Sequence, residues 1–243
     1  MNTLLEKPQK ISRIDRLFNA LIVILAPFYK SKTFDIIAQK IERMRWKKRL
    51  IDAAIPQARK IFTYTKQEEL KALYNLGLNA PQGSVALEIG SHLGASSCYL
   101  AAGLSQVNGQ LFCVDTWNNE TMPEGTQDTW AEFQKNTAGV KQYIVPIRKR
   151  SDQISKSDLK LPLNLVFIDG DHSYSGVKQD FDRVQNWLAK DGIIAFHDFG
   201  NPDYEGVSRV VGEALTSGKW MIAGYVQTLV WIKPATWSKS AQI

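Results

Sequence analysis

All three histidines of this 243-residue chain, His92, His172 and His197, fall within a few residues after short apolar runs. Four carboxylates, Asp115, Asp169, Asp171 and Asp198, likewise end such runs or come just after them. An imidazole titrates near neutral pH, so it can take up a proton from a reacting group or ligate a metal. A carboxylate beside it orients the ring or accepts hydrogen bonds. A single histidine is commonly a satisfied core residue. Three of three, grouped with four acids, is the pattern of titratable side chains gathered in one cleft.

The elements that must position them are legible from periodicity. Val85 to Ile89 is an apolar run broken only by Glu88, which predicts a buried strand of a parallel sheet. Gly90 and Gly94 follow, and Leu93, Tyr99, Leu100 and Leu104 then repeat with helical spacing. Further strands are predicted at Gln110 to Asp115, Tyr143 to Ile147, Leu163 to Ile168 and Ile193 to Phe196. Trp220 to Val226 and Leu229 to Ile232 read as an antiparallel pair joined by a tight turn. Between them lie helical patterns, the clearest carrying Val177, Phe181, Val184 and Leu188 and stopping near Lys190-Asp191-Gly192. Thr65-Lys66-Gln67-Glu68 has the form of a capping box, starting a helix that runs through Leu70, Leu73 and Leu76 and stops at Gly77. An open α/β sheet binds its ligands beyond the carboxyl ends of the strands, where all these histidines and aspartates fall. The excursion after Asp115, with Trp117 and Trp130, is a candidate lid.

Composition is that of a globular protein, with 44% hydrophobic and 22% charged residues. The two cysteines, Cys98 and Cys113, sit in apolar patterns, which suggests reduced thiols and a cytoplasmic setting. No apolar run is long enough to span a bilayer and no cleavable signal is evident. The net charge of +6 is uneven: residues 1–60 hold 14 Lys/Arg against 5 Asp/Glu, whereas residues 61–243 carry a net −3. The chain therefore reads as a basic helical extension, 1–60, and an α/β domain, 61–243. That distribution argues against a nucleic-acid partner for the domain. The extension holds an apolar stretch from Ile14, interrupted by Pro27, and a second one, from Phe34 to Met44, that runs into Arg43, Arg45, Trp46, Lys47, Lys48 and Arg49. An apolar face beside basic residues is suited either to an anionic membrane surface, through residues 14–49 on the inner face of a membrane, or to packing on the domain or in a homodimer.

The spacing Glu88-x-Gly90-x-x-x-Gly94 is not the G-x-G-x-x-G of dinucleotide sites. It resembles the first motif of class I S-adenosylmethionine-dependent methyltransferases. The string Phe167-Ile168-Asp169-Gly170-Asp171-His172-Ser173-Tyr174, with Phe196-His197-Asp198 after the next strand, is similar to a subgroup of that class often found near glycan and natural-product genes. The resemblance covers about residues 61–233 and implies a Rossmann-like, seven-stranded, mostly parallel sheet of order 3-2-1-4-5-7-6, with helices on both faces. It implies S-adenosylmethionine (SAM) as cofactor, held by Glu88, Gly90, Ser91, His92 and Gly94 around the methionine part. Asp115 would serve the ribose, with Ser151 near the adenine and Asp169 at the reacting end.

A more distant resemblance to metal-dependent O-methyltransferases implies a divalent ion at Asp171, His197 and Asp198. Those enzymes place an acidic or amide pair where this chain has His197-Asp198, and an imidazole there favours zinc, iron or manganese over magnesium, while a metal-free site with a histidine base stays open. The implied reaction aligns an acceptor hydroxyl, of a sugar or another small metabolite, with an electrophilic methyl carbon. Asp171, His172 or His197 would remove the hydroxyl proton as general base. Two other readings remain at this stage: an NAD- or nucleotide-sugar-binding Rossmann enzyme, and a non-catalytic membrane-associated binding module.

Overall fold

The computed structural model describes residues 31–52, 57–120 and 125–235, together with Ala20. The chain resolves into two compact units, Met1–Asp52 and Ala53–Ile243. In the first unit, α1 (Lys32–Asp52) forms from the second apolar pattern of the extension. The apolar stretch from residue 14 to 28, apart from Ala20, lies outside the described residues. No helix among the described residues is long and apolar enough to cross a membrane.

The second unit is built on one seven-stranded sheet of order β3-β2-β1-β4-β5-β7-β6. The strands are β1 (Val85–Ile89), β2 (Gln110–Asp115), β3 (Ile144–Arg148), β4 (Leu163–Ile168), β5 (Leu188–Phe196), β6 (Trp220–Val226) and β7 (Leu229–Pro234). The first five run parallel, and β7 is antiparallel to both β5 and β6. The sheet class and strand order expected from the sequence are those observed. Parallel strands covered on both faces must be apolar along their length, and β1, β2 and β4 are buried at nearly every position. The helices are α2 (Gln67–Leu78), α3 (Ala95–Ser105), α4 (Trp130–Thr137), α5 (Tyr174–Val184) and α6 (Glu205–Thr216).

Three local expectations are corrected. First, α2 is not capped at Thr65: its N-cap is Lys66, and the carboxylate that reaches back to the N-cap amide is Glu69, at 2.8 Å. Second, α2 continues through Gly77, which lies inside the helix and faces α3. A methyl group at Gly103 would stand 2.2 Å from the Tyr74 carbonyl, and one at Gly77 would stand 2.8 Å from the Leu100 carbonyl, so both glycines serve close backbone packing. Third, α5 ends at Val184, and Leu188 already begins β5, paired with Leu163 ahead of a register shift. The irregular start of β5, with Lys190 and Asp191 exposed, breaks the strand pattern and imitates a helix end in the sequence.

The expected lid is also anchored where it can be described. Trp117 is fully buried against Trp130 and Phe133, each at 4.6 Å between ring centroids, and donates its indole N–H to the His92 carbonyl. Residues 121–124, within the same excursion, lie outside the described residues.

Candidate active site

Beyond the carboxyl ends of β1, β2, β4 and β5 lies a cavity of about 550 Å³, a volume suited to a cofactor-sized ligand. The glycine loop forms one wall. Gly90 sits at φ +86°, and a Cβ there would be 2.0 Å from the Asp169 carbonyl, so only glycine lets the β1 and β4 ends close on each other. Gly94 caps α3 in a left-handed conformation and packs on Thr137 and Phe133 of α4. Asp115 ties the loop to β2: its Oδ2 accepts the amides of Ser91 and His92, both at 2.8 Å, and its Oδ1 accepts that of Trp117 at 2.7 Å. His92 takes a left-handed backbone, φ 45°, at that point. Gly90→Ala is expected to cost about 2–4 kcal/mol through overpacking and the unfavourable φ, and denaturant unfolding of the variant checks it.

Glu88, Gly90, Ser91, His92, Gly94 and Asp115 thus converge on one loop, with different tasks. Ser91, His92, Gly90 and Asp115 line the cavity. Glu88 lies fully buried beneath the loop, accepting the hydroxyls of Ser91 (2.8 Å) and Ser97 and the Cys113 thiol at 3.3 Å. Burial raises the Glu88 carboxyl above its ordinary range, against the pull of these donors. Its other oxygen, Oε1, has no hydrogen-bond partner among the described residues. Burial, reinforced by Glu88, also pushes the Cys98 thiol up to about 12, which leaves it inert.

The opposite wall holds the histidines of β4 and β5. Asp169 Oδ1 lies 3.3 Å from both His172 Nε2 and His197 Nδ1. Asp198, left-handed at φ 60°, places Oδ2 at 3.0 Å from His197 Nδ1 and 3.3 Å from His172 Nε2, while Asn201 holds its Oδ1 at 2.8 Å. The His172 ring stacks on Tyr204 at 4.4 Å. One donor atom from each of Asp169, His172, His197 and Asp198 falls within 4.8 Å of the others. Asp171 stays outside this group: its carboxylate folds onto the first turn of α5, where Oδ1 accepts the Ser173 amide at 2.8 Å and Cγ packs against Gly176. Ser151 lines the far end of the cavity, against Asp180 of α5, whose burial raises its carboxyl to about 6.

His197 is 5% exposed and hydrogen-bonded at both nitrogens. Burial opposes its charge, but Asp169 outweighs that, joined by Asp198 and Glu69, and the ring is pushed up to about 12. With no cation bound it is therefore held protonated and is a poor proton acceptor, and a cation at Nδ1 would have to displace that proton. Burial likewise opposes the charge of Asp169, and His197 and His172 more than reverse it, holding the carboxyl well below the usual range. His172 is raised above the ordinary histidine value, because hydrogen bonding and attraction from Asp169 and Asp198 outweigh burial.

The residue that sequence reasoning passed over is Glu69. It is fully buried on α2 and accepts His197 Nε2 at 3.2 Å through Oε2, and the Thr228 amide and hydroxyl at 2.9 and 2.7 Å through Oε1. The signal was present: Glu69 falls on the apolar stripe of Leu70, Leu73 and Tyr74, where a carboxylate needs a buried partner. Phe62 and Tyr64, just before α2, also line the cavity although both are more than half exposed.

The donor set suits a divalent cation. Two carboxylates and two imidazoles match manganese-, iron- or zinc-type sites better than an all-oxygen magnesium site. Asp169 takes the place that the sequence assigned to Asp171, next to His197 and Asp198.

Comparison with known proteins agrees with this architecture. Residues 87–199 match the model of a methyltransferase domain. The O-methyltransferase TomG of tomaymycin synthesis from Streptomyces achromogenes, solved with SAM, is similar at TM-score 0.50 and 17% identity, over 76% of this chain and 89% of its own. A TDP-rhamnose 3'-O-methyltransferase of calicheamicin biosynthesis gives TM-score 0.51 and 14% identity over 92% and 95%. An rRNA methylase from Streptococcus thermophilus gives 0.50 and 10% over 71% and 99%. At such identities the solved structures speak for the fold. The matched segment, on a sheet of order 3-2-1-4-5-7-6, gives the chain a methyltransferase domain, and together they support a class I S-adenosylmethionine-dependent methyltransferase.

Proposed function

We propose that the protein moves a methyl group from SAM to a hydroxyl of a small molecule, a sugar or another metabolite. The observation that carries this is the single cavity joining the glycine loop and Asp115 to the His172–Asp198 edge. When bound there, SAM supplies an electrophilic methyl carbon. Ser91, His92 and Gly90 line the space for its methionine part. Asp115, with one Oδ1 lone pair left after its three amides, faces the ribose side, and Ser151 the adenine side. The chain's remaining task is to align the acceptor oxygen and take its proton as the new bond forms.

His172 is placed for the second task. Its Nε2–H is shared by Asp169 and Asp198, which leaves Nδ1 as the basic nitrogen, and the stacking on Tyr204 fixes the ring plane. Asp169, His197 and Asp198 would hold a divalent cation, whose charge would favour an ionised acceptor oxygen nearby. A small acceptor is supported by the similarity to a sugar-nucleotide O-methyltransferase along most of both chains. The similarity to an rRNA methylase makes RNA the competing acceptor.

Calorimetry with S-adenosylhomocysteine and with NAD tests the cofactor. The homocysteine compound is expected to bind, and Asp115→Ala to weaken it by about 1–3 kcal/mol, the worth of a charged hydrogen bond. Binding of NAD in its place would overturn the assignment. Labelled methyl groups appearing in RNA and in no sugar or small hydroxyl compound would overturn the acceptor.

A further inference from the structure

We propose that Glu69 is the positioning carboxylate of the catalytic edge: by holding His197 Nε2 it turns Nδ1 toward Asp169 and Asp198 and makes those three side chains a seat for a divalent cation. The inference rests on the cation reading given above. It adds a residue that lies outside the matched segment 87–199.

The geometry is specific. Glu69 and His197 are separated by 128 residues in sequence and meet in the interior at 3.2 Å. Glu69 is not free to swing, since Oε2 also accepts the Lys66 amide at 2.8 Å and Oε1 is held twice by Thr228. The orientation of the His197 ring is therefore imposed by α2 and by the turn between β6 and β7. Its other nitrogen then stands 3.0 Å from Asp198 Oδ2 and 3.3 Å from Asp169 Oδ1.

An imidazole with one nitrogen on a buried carboxylate and the other facing carboxylate oxygens is the arrangement of a metal-ligating histidine with its outer partner. The charges point the same way. Glu69, Asp169 and Asp198 bring three negative charges against two imidazoles, so even with both rings protonated the group stays net negative. A cation between Asp169, His197 and Asp198 would offset that charge.

The test uses the full chain and Mn²⁺ alone, followed by electron paramagnetic resonance. Wild type is expected to bind Mn²⁺, and Glu69→Gln to bind it about 10–100-fold more weakly while its affinity for S-adenosylhomocysteine stays unchanged. Spin-echo spectra of the Mn²⁺-loaded wild type should carry an imidazole nitrogen coupling that His197→Ala removes. This second measurement decides the matter if Glu69→Gln does not fold. Equal Mn²⁺ affinity in wild type and Glu69→Gln would overturn the proposal, as would a nitrogen coupling that is absent or that survives His197→Ala. Wild type that takes S-adenosylhomocysteine but ignores Mn²⁺ would overturn it too, and would leave the methyl-transfer reading standing. Failure to bind S-adenosylhomocysteine would sink that reading instead.

Discussion

Replacing His172 by alanine is expected to lower methyl transfer per folded molecule by about 10²–10⁴-fold, the range for a lost general base, with the affinity for S-adenosylhomocysteine unchanged. The choice among the three candidate bases follows from where their lone pairs go. His197 has both nitrogens on carboxylates and is pushed up to about 12, so it is already protonated and takes no proton from an acceptor near neutrality. Asp171 lines the cavity but spends Oδ1 on the Ser173 amide and stands outside the histidine cluster. His172 is the one whose Nε2 is fixed by two carboxylates while its ring is partly open to the cavity. Its raised pKa sets the sign of the pH dependence. The basic form is depleted below that raised value, so the rate should climb with pH over a range displaced above the ordinary 6.5. A single-turnover pH profile checks this. An alanine variant with wild-type turnover would remove His172 from the mechanism.

The sequence revealed the frame of this site better than its wiring. Strands β1, β2 and β4 were legible because burial on both faces forces continuous apolar runs, and the acids and histidines after them had to fall at one edge of a parallel sheet. What a side chain does at that edge depends on neighbours that spacing does not encode. Asp169 and Asp171 are two residues apart and equivalent in sequence. A local turn takes Asp171 out of the cluster, whereas Asp169 stays between two imidazoles. Asp115 reads as a ribose ligand, yet three of its acceptor positions go to loop amides, so it also builds the loop that would hold the cofactor. Glu69 was the hardest to see. Its partner lies 128 residues away in sequence, and its place beside Glu68 in a capping motif supplies a sufficient local reason for a carboxylate there. Trp117 looked like part of a lid and is instead a buried anchor, because an aromatic in a polar stretch carries no mark of which way it points.

Asp169→Asn is expected to destabilise the protein by about 3 kcal/mol, near the lower end for breaking a buried ion pair, and to change the pH dependence of its stability. Asp169 Oδ1 is shared by His172 and His197, and its charge is the largest attraction on the buried imidazolium. The His197 ring has a folded value of about 12 against an ordinary 6.5. Its contribution is therefore complete below pH 6.5 and is lost progressively as pH rises toward the folded value. Glu69 shows the opposite behaviour. Burial works to raise it, but the bonds from His197, Thr228 and the Lys66 amide bring it down to about 2 from 4.5. Its contribution is present above pH 4.5 and lost as pH falls toward the lower value. Asp198 is lowered in the same sense, with His197 and Asn201 outweighing burial. Wild-type stability, measured by urea unfolding in EDTA, should then peak between about pH 4.5 and 6.5 and decline on the alkaline side. In Asp169→Asn the His197 value falls with the lost charge, so the alkaline decline should end at a lower pH. Parallel stability curves for the two proteins, offset but of one shape, would mean that Asp169 and His197 do not share charge in the folded state.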